Sequence, residues 1–103
     1  MPFSIRPYHR FPVCCPMTYQ CGLFEGYGTM WNLSLAGMRF SGNLPLRVGE
    51  VCSLTVNLPT QETIYVAAGI VRWERGEKEC GVETLVIDDE SREDMERYLR
   101  QQV

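Results

Sequence analysis

Turn-forming residues cut this chain into short pieces, and nothing else in the sequence narrows its choice of fold as far. Glycines gather from Gly22 to Gly28. The run Asn32-Leu33-Ser34-Leu35-Ala36-Gly37 follows, then Gly42, Asn43 and Pro45, then Val48-Gly49-Glu50, then Pro59, and finally the stretch from Arg75 to Lys78. Between these breaks lie runs with the period of a strand. Val13, Cys15, Met17 and Tyr19 alternate with Cys14, Pro16, Thr18 and Gln20, so Val13 to Cys21 reads as a strand whose Pro16 marks an edge or a bulge. Gly28 to Trp31 starts a second strand, and Met38 to Phe40 is a third. Cys52, Leu54, Val56 and Leu58 alternate with Ser53, Thr55 and Asn57 in a half-buried fourth. Ile64 to Trp73 is the longest β-rich run, with a bulge or barrel corner expected at Ala67-Ala68-Gly69; Cys80 to Leu85 is the sixth.

The end of the chain changes character. Asp88 or Asp89 can cap a helix with an acidic first turn, Arg97 and Arg100 toward its C-terminus, and one apolar stripe of Met95, Tyr98 and Leu99. Six short strands and a terminal helix argue for an all-β fold, a six-stranded antiparallel barrel or split barrel with a C-terminal α-helix against it. The expected organisation is an N-terminal arm over residues 1–11, where Pro2, Pro7 and Pro12 break any ladder, and a barrel domain over 12–103 with its helix at about 88–102.

A chain of 103 residues makes one domain and can bury a core without disulfides. Cys14, Cys15, Cys21, Cys52 and Cys80 are odd in number and hold no Cys-x-x-Cys pair, which fits a reducing compartment; His9 with Cys14, Cys15 and Cys21 matches no zinc spacing. No apolar run approaches a membrane span and no signal segment opens the chain, so the expected location is the cytoplasm.

Net charge is −3, but ten of the thirteen acids lie between Glu74 and Glu96. The first 24 residues carry none, and Arg6 and Arg10 stand among them. That sparse basic surface is unsuited to a DNA or RNA polymer, whose binding draws on an extended cationic face, yet two arginines suffice for a small anion. The second polar feature is the run Asn32 to Gly37, which reads as a tight bend: Asn32 and Ser34 bond locally to backbone and point polar groups outward, and Gly37 supplies a positive φ. Nothing resembles a catalytic centre. There is one histidine, no nucleophile with an obvious base, and no phosphate loop.

Arg6-Pro7-Tyr8-His9-Arg10 fits Arg-x-x-x-Arg, and Asn32-Leu33-Ser34-Leu35-Ala36-Gly37 fits Asp/Asn-x-Ser-x-x-Gly. Together they resemble the signature of the PilZ domain. Phe11-Pro12-Val13, Leu46-Arg47-Val48-Gly49, Ile70-Val71-Arg72-Trp73 and Cys80-Gly81-Val82-Glu83 extend the resemblance over nearly the whole chain. It implies a bacterial receptor for the second messenger cyclic di-GMP, with Arg6 and Arg10 on phosphate and guanine edges, Asn32 and Ser34 giving polar contacts and Gly37 permitting the bend; Trp73, read from its own chemistry, is either a secondary contact by stacking or core and rim packing at the end of its β-run. The resemblance also implies a ligand that folds the arm over the barrel and creates a surface for an unidentified protein of motility, pilus or exopolysaccharide machinery. Family members without the arginine motif act as adaptors in type IV pilus assembly, which is the alternative expectation. Pro7 departs from the arginine-rich run of many members, and Ile5, apolar before the pair, favours a single bound ligand.

Overall fold

The computed structural model describes residues 10–76 and 78–102. Six antiparallel strands, β1 (Phe11–Cys21), β2 (Phe24–Leu33), β3 (Gly37–Gly42), β4 (Val51–Asn57), β5 (Thr63–Arg75) and β6 (Glu79–Ile87), are followed by helix α1 (Asp89–Gln101). They close a barrel in the order β1-β2-β3-β6-β5-β4, as the turn spacing predicts. The alternation in β1 and β4 is the burial pattern itself: Cys15, Met17, Tyr19, Cys52, Leu54 and Val56 all point into the core.

Several boundaries differ from those read in the sequence. β1 begins at Phe11, so the last residue assigned to the arm is a buried strand residue, and Pro12 lies within the strand. Both prolines are tolerated because β1 pairs with β4 only from Met17 to Gln20; its first half has a ladder on the β2 side alone, and the bulge there falls between Pro12 and Cys15. The glycines from Gly22 to Gly28 do not form one long turn. Cys21 pairs with Phe24, leaving Gly22 and Leu23 as a two-residue loop with φ +60 at Gly22, while Gly26 and Gly28 sit in β2. Those two glycines are there for space. A Cβ on Gly26 would stand 2.4 Å from the Tyr19 ring, and one on Gly28 would stand 1.8 Å from the Ser41 carbonyl oxygen. The expected irregularity at Ala67-Ala68-Gly69 is present, with the β5–β6 register shifting between Val66 and Ala68 and again between Ala68 and Gly69.

Helix α1 is capped by Asp88, whose Oδ1 accepts from the Ser91 amide at 2.6 Å, and its acidic first turn and Arg100 in the last turn match the dipole. Met95, Tyr98 and Leu99 are buried as the stripe predicts. Ser91 is buried too, and its hydroxyl accepts from the Tyr65 amide at 2.9 Å. Tyr65 lies one residue beyond the last β5–β6 pair, Val66 with Ile87, so the helix satisfies a backbone donor that the ladder leaves over.

Burial governs the cysteines. It pushes the Cys52 thiol up to about 11 and the Cys80 thiol up to about 12, from an ordinary 9.0. Unfolding frees both to ionise from about pH 9, whereas the folded chain keeps them protonated, so the unfolded state binds fewer protons there and stability falls as pH rises. Stability from this source is complete below pH 9 and is lost progressively toward pH 11 to 12. The midpoint of urea unfolding should be level up to about pH 8 and decline by about pH 10; a level midpoint across that range contradicts this account.

Candidate functional site

The pairing of β1 with β2 sets the geometry. Phe11 faces Leu33, and the same antiparallel register carried one residue outward sets Arg10 beside Ser34. Two polar features far apart in the sequence thus meet at one end of one hairpin. Arg10, Ser34, Ala36, Gly37, Arg72, Trp73, Gly81, Val82 and Glu83 line an open cleft of about 200 Å³ on the outer face of the barrel. Its walls are the β2–β3 bend, β5 and β6.

The bend is tighter than the sequence suggests. Asn32 belongs to β2 and Gly37 to β3, so the connection is only Ser34, Leu35 and Ala36. The Ser34 amide and hydroxyl both donate to the Gly37 carbonyl, at 2.9 and 2.6 Å, and the Gly37 amide donates back to Ser34 Oγ at 2.9 Å. The Thr84 amide donates to the Ala36 carbonyl at 2.8 Å and ties the bend to β6. Ser34 is 2% exposed, so its hydroxyl is turned into the bend and not outward, against the expectation of outward-pointing polar groups. Ser34→Ala removes both hydroxyl bonds and strands a buried amide; the expected loss is about 1–3 kcal/mol of stability by chemical denaturation, with Ser34→Thr costing less.

Gly37 also differs from its expected role. It is not among the positive-φ glycines, which among the described residues are Gly22, Gly49 and Gly76. What requires glycine is the neighbouring strand: a Cβ there would lie 2.6 Å from the Val82 carbonyl oxygen. The expected bend conformation is therefore replaced by close approach of β6.

Asn32 lies on the outer face but not in the cleft lining. It pairs across the ladder with Arg39. With its carboxamide turned to satisfy both ends, its oxygen accepts from Arg39 Nε at 2.8 Å and Nη2 at 3.2 Å, and its nitrogen donates to the Trp31 carbonyl at 3.1 Å. Arg39 in turn meets Glu79 at 3.0 Å. The same transverse row continues from Arg39 to Gly81 and from Gly81 to Trp73. There the Trp73 indole lies on the backbone of Gly81, where a Cβ would stand 2.0 Å from Nε1, and the Arg75 guanidinium sits 5.8 Å from the ring centroid. Gly81 thus lets an aromatic side chain lie flat as one wall of the cleft.

Of the residues expected from the sequence, Arg10, Ser34, Gly37 and Trp73 line the cleft together; Asn32 stands in the adjoining row, and Arg6 lies outside the described residues. Sequence reasoning by period and turn missed Arg72 and Glu83, whose side chains meet diagonally across β5 and β6 with Arg72 Nη2 2.7 Å from Glu83 Oε2. One signal could have singled out Arg72, an arginine set between the apolar run Ile70-Val71 and Trp73. Neither a metal-binding cluster nor a helix long and apolar enough to cross a membrane occurs among the described residues.

Three comparisons bear on the chain. The family model described as the PilZ domain matches residues 4–101. No curated protein sequence matches. Among solved structures, the inhibitor of motility MotI/DgrA of Bacillus subtilis is similar at 22% identity with a TM-score of 0.77, over 97% of this chain and 52% of that one, so the chain spans about half the length of that protein. The PilZ domain of CeSA from a cellulose-synthesizing bacterium is similar at 15% identity with a TM-score of 0.66, over 91% of this chain and 97% of that one.

Proposed function

Because the chain belongs to the PilZ family, matched over nearly its whole length, we propose that it is a receptor for cyclic di-GMP, held where Arg10 meets the Ser34–Gly37 bend. One observation carries the reading: the β1–β2 register sets the second arginine of Arg-x-x-x-Arg against the serine of Asn-x-Ser-x-x-Gly. The chemistry agrees. Cyclic di-GMP brings two phosphodiester charges and two guanines, and an arginine fork pairs with a phosphate or with guanine O6 and N7. Arg10 and Arg72 put two such forks on one cleft, with Trp73 as an apolar wall for a purine.

In this reading Arg6 adds a further fork from the residues ahead of β1. Ser34 and Gly37 act by fixing the bend against which the ligand rests, and Asn32 reaches the ligand with the carboxamide it otherwise gives to Arg39. Binding gathers residues 1–9 over the barrel face and makes a new surface for a partner. The output is recognition rather than catalysis: among the described residues the one hydroxyl of the cleft, that of Ser34, is engaged with Gly37. The partner belongs to motility, pilus or exopolysaccharide machinery, in keeping with a motility inhibitor and a cellulose-producing system among the similar structures.

Calorimetric titration of the purified protein tests this. Saturable heat with cyclic di-GMP, and much weaker heat with cyclic di-AMP, is expected; no heat at high concentration overturns it. The reading of a nucleotide-independent pilus adaptor has one observation in its favour. Leu23, Phe24 and Tyr27, exposed by 99, 72 and 67%, form an apolar hairpin end that no part of the described chain covers. Pilus-assembly proteins copurifying equally with and without nucleotide would favour that second reading.

A further inference from the structure

We propose that Glu83 reads the Watson–Crick edge of one guanine and so sets the choice of guanine over other purines; this rests on the reading that the ligand is cyclic di-GMP. Glu83 lies on β6 opposite Gly37 of β3 and opposite Ile70 of β5, lines the cleft and falls outside both sequence motifs. A carboxylate is out of place in a cleft that receives a dianion, because like charges repel unless hydrogen-bond donors intervene. Stability does not account for it. The pair with Arg72 at 2.7 Å is about half exposed on both sides, 55 and 46%, and such a pair contributes at most about 1 kcal/mol.

Guanine supplies the missing donors. Its N1–H and 2-amino N–H point the same way and match the two oxygens of one carboxylate, whereas adenine turns an acceptor toward that position and meets repulsion. Arginine reads the opposite edge of guanine through O6 and N7, so an acid and an arginine on one cleft cover complementary edges without competing. Among the described residues the Glu83 carboxylate bonds only to Arg72, through Oε2, and a carboxylate has about four acceptor positions. It can therefore keep Arg72 in place while accepting from the base.

The test titrates the parent and Glu83→Gln with cyclic di-GMP and with its inosine analogue, which lacks the 2-amino groups. A glutamine offers one acceptor where the edge requires two. The parent should bind cyclic di-GMP about tenfold or more tightly than the analogue, and Glu83→Gln should lose about tenfold or more for cyclic di-GMP while scarcely distinguishing the two ligands. Binding of cyclic di-GMP to Glu83→Gln that equals or exceeds the parent's overturns the proposal, since Glu83 then only restrains Arg72 or repels phosphate. An equal loss for both ligands also overturns it, because Glu83 then acts through Arg72. A parent that binds neither ligand removes the cyclic di-GMP reading itself, a result distinct from binding without discrimination.

Discussion

Arg10→Ala is expected to weaken cyclic di-GMP binding by about tenfold to hundredfold, the loss of a fork worth about 1–3 kcal/mol, while leaving the fold intact. Arg10 is exposed at the mouth of the cleft, and its side chain takes no part in the core. Truncation therefore removes a ligand contact without opening a cavity. Arg10→Lys keeps the charge but loses the planar pair of donors, and should recover only part of the affinity. Calorimetry supplies the affinities, and thermal unfolding without ligand confirms that the variants are folded. Arg10→Ala binding as tightly as the parent would sink the assignment of the arginine motif to the ligand.

The largest effect on stability is expected at Tyr19, where alanine should cost about 4–5 kcal/mol, much of the margin of a domain this size. Tyr19 is 3% exposed and its ring packs at 5.1 Å from that of Phe40. On its other sides the ring lies against Gly26 and Gly42, where added Cβ atoms would stand 2.4 Å away. Those walls are backbone, so no side chain there can turn in to fill the space left by truncation. The hydroxyl also donates to the Leu44 carbonyl at 2.6 Å and accepts from the Leu44 amide at 2.8 Å, pinning the β3–β4 connection. Tyr19→Phe isolates that second contribution and should cost about 1–3 kcal/mol. Urea midpoints give both values. A loss under about 1 kcal/mol for Tyr19→Ala would show that the site collapses after all.

The lining of the candidate cleft was legible in part. Arg10, Ser34 and Gly37 were identifiable because their spacing fits a two-part motif, and Trp73 because its indole can stack on a guanine. Arg72 and Glu83 were not, because the apolar run before Arg72 gives only a slight local cue and nothing local marks Glu83: they come together only after β5 and β6 pair with the register shift between Val71 and Trp73. The same limit explains the glycines. A glycine in a sequence signals either a positive φ or a near neighbour, and only the approach of Val82 shows that Gly37 serves the second need.

By itself the sequence determined the number and polarity of the strands, the alternating sets Val13, Cys15, Met17, Tyr19 and Cys52, Leu54, Val56, Leu58, all buried except the half-buried Val13, and the capped, amphipathic terminal helix. All of these follow from periods and caps that act within a few residues. The tertiary structure alone decided that Arg10 stands beside Ser34, that Ser34 turns inward to hold its own bend, that Asn32 pairs with Arg39, and that Trp73 lies on Gly81. Each is a contact across strands, fixed by hydrogen-bond register and by closure of the barrel. A register is a property of two strands together, so neither strand's sequence contains it.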